Sequence, residues 1–159
     1  MPLPHTSDGQ PAVFLDRDGT LIEDRGPLGA PEQVVFFPDT VAALRQLNGR
    51  FALFIITHQP AVAQGELTLS QVTAVNQHVT RTLAQAGIAL AGVSVCPHLR
   101  SQNCECIKPK PLLVHEAAHQ HRVDLSRSYT VGDHPHDVEL AKNVGATGVY
   151  VLTGHGLKH

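Results

Sequence analysis

Asp16-Arg17-Asp18-Gly19-Thr20 sets two carboxylates one residue apart, followed by a glycine that lets the chain turn sharply away. A carboxylate at Asp16 can attack phosphorus as a nucleophile. One at Asp18 can protonate the departing oxygen and afterwards activate water. The same five residues would also make a solvated turn, because aspartate and glycine favour turns. Thr57 offers a hydroxyl, and with His58 adjacent backbone N–H groups, to phosphate oxygens; it equally suits the end of a strand as a β-branched residue. Lys108, in Lys108-Pro109-Lys110-Pro111, is expected near the start of a helix, where a bound anion would offset the unfavourable dipole; the plain alternative is a solvated lysine. In Gly132-Asp133-His134-Pro135-His136-Asp137, Asp133 and Asp137 suit a hard cation, with Asp137 also readable as a first-turn helix carboxylate. His134 and His136 are read as surface loop residues and stay outside the site.

All three cysteines fall in one segment, Cys96-Pro97-His98 followed by Cys104-Glu105-Cys106. An odd cysteine count without a secretion signal argues against a disulfide framework. Cys96, His98, Cys104 and Cys106 form a complete tetrahedral zinc set with no position left open, so the ion is expected to brace a loop rather than activate water. Lys108 lies two residues past the last ligand, and the loop would position it.

These groups need elements to bring them together. Short apolar runs at 12–15, 51–56, 93–95, 129–131 and 149–152 read as buried strands. Between them, Val41, Leu44 and Leu47 after Asp39 or Thr40, and Val72, Val75, Val79 and Leu83 after Ser70, read as amphipathic helices. Two more are expected at 112–121 and 135–144, the last stopped by Gly145. Strand and helix alternate, which predicts an α/β fold: a single doubly wound, Rossmann-like parallel sheet whose ligand site lies beyond the carboxyl ends of the strands. The stretches 23–38 and 97–111 interrupt the alternation.

With 42% hydrophobic and 16% charged residues, the chain suits one compact domain over 1–159. A formal charge of −2 gives no basic excess to hold nucleic acid or anionic lipid. The polar, proline-rich amino terminus carries no apolar leader and no stretch is long enough to span a bilayer, so a cytoplasmic monomer without membrane or nucleic-acid partners is expected.

The DxDGT run, a threonine after the second strand, a lysine and GDxxxD, in that order over nearly the whole chain, resemble the haloacid dehalogenase superfamily of phosphatases. The resemblance implies that Asp16 is phosphorylated, that Asp18 is the acid and base, and that Thr57, His58 and Lys108 bind the phosphate. It also implies magnesium on Asp16, the Asp18 carbonyl and Asp133, with Asp137 in support. The cysteine and histidine insertion is similar to that of two narrower groups, the D-glycero-D-manno-heptose 1,7-bisphosphate phosphatases and the histidinol-phosphate phosphatases. Both usually lack a large cap domain, and the short segments after Asp18 and Thr57 imply the same capless form here. A small phosphorylated metabolite is the implied substrate, a heptose bisphosphate first and histidinol phosphate second. Ile107 stands where both groups usually have arginine, so a weaker preference for bisphosphates is expected, and His58 stands where they have asparagine. A phosphate-accepting signalling domain and a non-catalytic zinc-stabilised module are the competing readings.

Overall fold

The computed structural model describes residues 9–158; the amino-terminal residues 1–8 and residue 159 lie outside it. Five strands, β1 (Ala12–Leu15), β2 (Ala52–His58), β3 (Leu90–Cys96), β4 (Tyr129–Gly132) and β5 (Thr147–Tyr150), form one parallel sheet in the order β3-β2-β1-β4-β5. Four helices connect them: α1 (Thr40–Leu47), α2 (Leu69–Gln85), α3 (Leu112–His121) and α4 (Pro135–Val144).

The period-two geometry of a strand explains why β1 and the middle of β2 read as unbroken apolar runs. Val13, Leu15, Leu53 and Ile55 face Leu44 of α1 and Val75, Val79 and Leu83 of α2. Ala12, Phe14, Phe54 and Ile56 face Val114 and Ala117 of α3 and Leu140 and Val144 of α4. Phe14 and Phe54 stack with ring centroids 5.1 Å apart. Both sheet faces are covered, so neither can alternate with polar residues.

From β1 the chain winds outward to β2 and β3, then returns beside β1 to make β4 and continues to β5. The winding direction reverses between β1 and β4, and the loops leaving those strands part there to open a crevice. Asp16 and Asp133 are the residues that follow them.

The limits of α3 and α4 are those expected, with Gly145 closing α4 at φ 75°. Helix α2 starts earlier than Ser70 because Thr68 caps it: Gln71 N donates to Thr68 Oγ1 at 3.1 Å, and Gln71 Oε1 accepts from Thr68 N at 2.9 Å. Strand β5 occupies 147–150 rather than 149–152, because pairing with β4 sets its register, Gly148 opposite Thr130. Leu152, included by its apolar character, is 61% exposed. The irregular stretch after β1 contains a short 3-10 turn at Pro31–Gln33, and Leu21, Ile22 and Leu28 pack into the main core. Among the described residues no helix is long and apolar enough to cross a membrane.

Candidate active site

The β1–β4 ladder runs one residue past β1, since Asp16 N donates to Val131 O at 2.9 Å, and this fixes the Asp16 backbone at the crevice. Lys108 Nζ reaches it from the loop after β3, donating to Asp16 Oδ1 at 3.0 Å, Asp137 Oδ1 at 2.8 Å and Ile56 O at 2.9 Å. Lys108 does not open a helix as expected. It sits in a turn closed by Lys110 N donating to Ile107 O at 2.8 Å, and α3 begins only at Leu112. The two carboxylates, rather than a helix dipole, account for its charge. Burial works against the ammonium, but Asp16 and Asp137 outweigh it and hold its pKa above the ordinary lysine range.

Asp137 is a first-turn carboxylate of α4 that also faces Lys108. One oxygen accepts from Lys108, and the other from His134 N at 3.2 Å in the first turn of α4. Asp133 Oδ2 accepts from His155 N at 2.8 Å. Gly19, at φ 84°, lets the turn after Asp18 pass directly over Asp133; a Cβ there would strike the Asp133 carboxylate. One oxygen each from Asp16, Asp133 and Asp137 can be chosen so that all lie within 4.8 Å of one another, a spacing suited to sharing one cation.

Burial, with the hydrogen bond to Asp16 second, pushes the Asp133 carboxyl up to about 7. The Asp133 carboxyl thus keeps its proton to near neutrality while no cation is bound. This pKa lies above the unfolded value, so the contribution of Asp133 to stability is full below about pH 4 and lost as pH rises through about 7. A divalent cation requires the ionised form. Magnesium affinity should therefore fall by about tenfold per pH unit below 7 and level off above it, which calorimetric titration from pH 5.5 to 8.5 would show. A flat profile would contradict a protonated Asp133.

Asp18 lies under the crevice in a network that its sequence neighbours did not announce. Arg17 Nε and Nη2 donate to its two oxygens at 3.2 and 3.0 Å, and Gln59 Nε2 donates to Asp18 Oδ2 at 2.8 Å and to Thr57 Oγ1 at 2.9 Å. Burial raises the Asp18 pKa in spite of the Arg17 cation. Thr57, 1% exposed, stands behind the cavity wall and is joined to Asp18 through Gln59.

The cavity holds about 230 Å³ and is lined by Asp16, Asp18, Lys108, Asp133 and Asp137, with His58, Arg100, His134, His136, Asp24 and His155 around them. His134 and His136, read as surface residues, stand on its wall, stacked with centroids 4.5 Å apart. The first turn of α4, which aims Asp137 inward, carries them with it. Ile107 is 3% exposed and is not among the residues that line the cavity. Arg100 takes the wall position, oriented by Nη1 donating to Lys108 O at 3.2 Å. His58 Nε2 donates to His98 O at 2.6 Å. Burial, reinforced by Arg100 and Lys108, holds the His58 pKa below its ordinary value, so that the ring must take a second proton before it can donate to a phosphate. Asp24 and His155, which sequence spacing did not suggest, close the opposite side through His155 Nε2 donating to Asp24 Oδ2 at 2.7 Å.

Cys96, His98, Cys104 and Cys106 converge at the root of the loop that carries Arg100 and Lys108. Ligand atoms on one zinc ion stand about 3.7 Å apart when Zn–S is about 2.3 Å. The Sγ atoms of Cys96 and Cys104 are 3.6 Å apart, those of Cys104 and Cys106 3.7 Å, and His98 Nδ1 is 3.7 Å from Cys96 Sγ. The two remaining contacts of Cys106 are tighter, 2.9 Å to Cys96 Sγ and 3.2 Å to His98 Nδ1. The donor set fits such an ion, which would hold Cys106 farther from Cys96 and His98 than it stands here.

A HAD-hydrolase-like family model matches residues 105–159. The chain is 36% identical to the D-glycero-beta-D-manno-heptose-1,7-bisphosphate 7-phosphatase of Yersinia pestis over 154 residues, covering 91% of this chain and 81% of that protein. To the enzyme of the same name from Helicobacter pylori it is 32% identical, covering 92% of this chain and 86% of that protein. It also superposes with a TM-score of 0.86 and 28% identity on the D,D-heptose 1,7-bisphosphate phosphatase of B. bronchiseptica, solved with magnesium and phosphate, covering 94% of this chain and 84% of that one.

Proposed function

Because the chain belongs to the haloacid dehalogenase-like phosphatase family, with the heptose 1,7-bisphosphate phosphatases among its relatives, we propose that it hydrolyses a small sugar bisphosphate through an aspartyl-phosphate on Asp16. The observation that carries this reading is the Lys108 ammonium, clamped between Asp16 and Asp137 at the sheet's switch point with Asp133 alongside. Phosphoryl transfer needs an in-line oxygen, neutralised charge and a proton donor, and little else.

The chain's own residues supply these in order. Asp16 attacks phosphorus, Lys108 holds the phosphoryl oxygens, and Asp18 gives its proton to the leaving sugar oxygen. Asp18, now ionised, takes a proton from the water that attacks the aspartyl-phosphate, and phosphate leaves with Asp16 restored. His58 lines the phosphate side, Thr57 and Gln59 stand behind it and hold Asp18, and Asp137 keeps Lys108 in place. With all four ionised, the buried or half-buried carboxylates Asp16, Asp18, Asp133 and Asp137 face two cations, Arg17 and Lys108, leaving a formal charge of −2, or −1 while Asp18 holds the proton it donates. That deficit suits one divalent cation, and we assign magnesium to Asp16, Asp133 and the Asp18 carbonyl, with Asp137 in support. When bound it would neutralise charge on the phosphoryl group. Zinc is assigned to Cys96, His98, Cys104 and Cys106 as a brace for the loop.

Arg100 is the guanidinium on the cavity wall and is assigned to the phosphate that does not react. The test compares D-glycero-β-D-manno-heptose 1,7-bisphosphate, its monophosphate and histidinol phosphate by phosphate release. The bisphosphate is expected to have the highest kcat/KM, and Arg100→Ala should lower its kcat/KM by about tenfold or more while leaving the monophosphate within about twofold, as for one lost charge-assisted hydrogen bond. Equal rates on all three would remove the bisphosphate assignment.

A further inference from the structure

Arg17 is the largest of the fully buried side chains, at 0% exposure, and none of the steps above uses it. A buried guanidinium is costly unless its donors are met and its charge is paired. Here Nη1 donates to Asn76 Oδ1 at 2.9 Å, while Nη2 and Nε fork onto the two oxygens of Asp18. Asn76 is itself out of place: it interrupts the apolar face of α2, four residues after Val72, and is buried at 6% exposure. From the other side the Gln59 amide bridges Asp18 Oδ2 and Thr57 Oγ1. The Asp18 carboxylate is thus held by donors from two directions, one anchored on α2 and one at the end of β2.

The torsion that turns an aspartate carboxyl is soft, and the carboxylate plane is otherwise free to swing. A forked guanidinium fixes that plane where a single ammonium would not. We propose that Arg17, steadied by Asn76, is a positioning residue that aims the Asp18 carboxyl at the oxygen of the leaving group. The proposal rests on Asp18 being the proton donor, and its test separates the two claims.

An alkyl phosphate leaves as an alkoxide and needs the proton; 2,4-dinitrophenyl phosphate leaves as a stable phenolate and does not. Because kcat/KM reports the steps up to departure of the leaving group, the ratio of kcat/KM on these two substrates isolates proton donation from folding and phosphate binding. Asp18→Asn is expected to lose about 100-fold or more on the alkyl phosphate and less than about tenfold on the dinitrophenyl ester. Arg17→Lys and Asn76→Ala should show the same selective loss in smaller measure, about tenfold on the alkyl phosphate. Arg17→Met should approach the Asp18 variant, and should add little when combined with it, as residues acting as one unit do. If Arg17→Met does not fold, the two milder variants decide. Equal fractional losses on both substrates in those variants, with Asp18→Asn still selective, would overturn the positioning role and leave Arg17 a structural cation. A non-selective Asp18→Asn would remove the donor itself and the brace along with it.

Discussion

Asp16→Asn should cut phosphate release by roughly 10⁴-fold or more, the scale seen when a nucleophile is removed from an otherwise intact site. The amide keeps the carboxylate's shape and offers Lys108 an oxygen to bond, so the contact now made at 3.0 Å survives in neutral form. Lys108 also retains Asp137 at 2.8 Å, and one negative charge beside Asp133 disappears. Nothing in that exchange threatens the fold. The melting temperature in the absence of magnesium should stay close to that of the wild type while turnover is lost, because an amide oxygen is too weak a nucleophile to open the phosphate ester. Calorimetry and a colorimetric phosphate assay on one preparation test both halves. Turnover within about tenfold of wild type in a folded variant would dismiss Asp16 as the phosphate acceptor.

The second large effect is expected at the zinc loop. Elemental analysis should find one zinc per chain, and Cys106→Ser should lower the melting temperature sharply, with activity falling in step. Cys106 Sγ lies against Cys96, His98 and Cys104 together, so its replacement disturbs contacts to all three other ligands. Metal-free, the cluster retains protons, and burial pushes the Cys96 thiol up to about 12, so that zinc must displace them. Structural zinc in small peptides contributes on the order of 10 kcal/mol to folding, an amount comparable with the whole stability of a domain this size. The loop bears Arg100 and Lys108, and its His98 carbonyl accepts from His58, so its loosening moves three groups of the cavity wall at once. Unchanged melting and turnover after the metal is stripped would show that the cysteines and His98 hold no structural ion.

Much of this site was legible in the order of residues. The alternation of apolar runs with helical stripes led to the doubly wound parallel sheet, because a parallel connection forces a crossover. The four zinc-type ligands could be grouped because they lie within eleven residues, where loop closure alone keeps them near one another. Asp16 and Asp18, and Asp133 and Asp137, could be paired for the same reason. Short separations also misled. Ile107 adjoins Lys108 in the chain but is buried, whereas Arg100, seven residues earlier, stands on the wall. His134 and His136 were set aside on their residue type, although the helix turn that carries Asp137 brings them inward as well.

By itself, then, the sequence determined the elements, their winding and the two compact motifs that hold reactive side chains, all of which follow from local periodicity and spacing. Only the tertiary structure decided the partners. Lys108 meets Asp16 across 92 residues, Arg17 meets Asn76 across 59, and Gln59 meets Asp18 across 41. Each of these contacts depends on strand register and on the face to which a crossover helix returns, and no local pattern records either. His155 shows the same limit: its backbone reaches Asp133 only because β5 lies beside β4 and the chain then bends back over the carboxyl edge of the sheet. A buried asparagine in an apolar stripe was the one visible sign of the Arg17 brace, and what it held could be seen only once α2 was laid against β1.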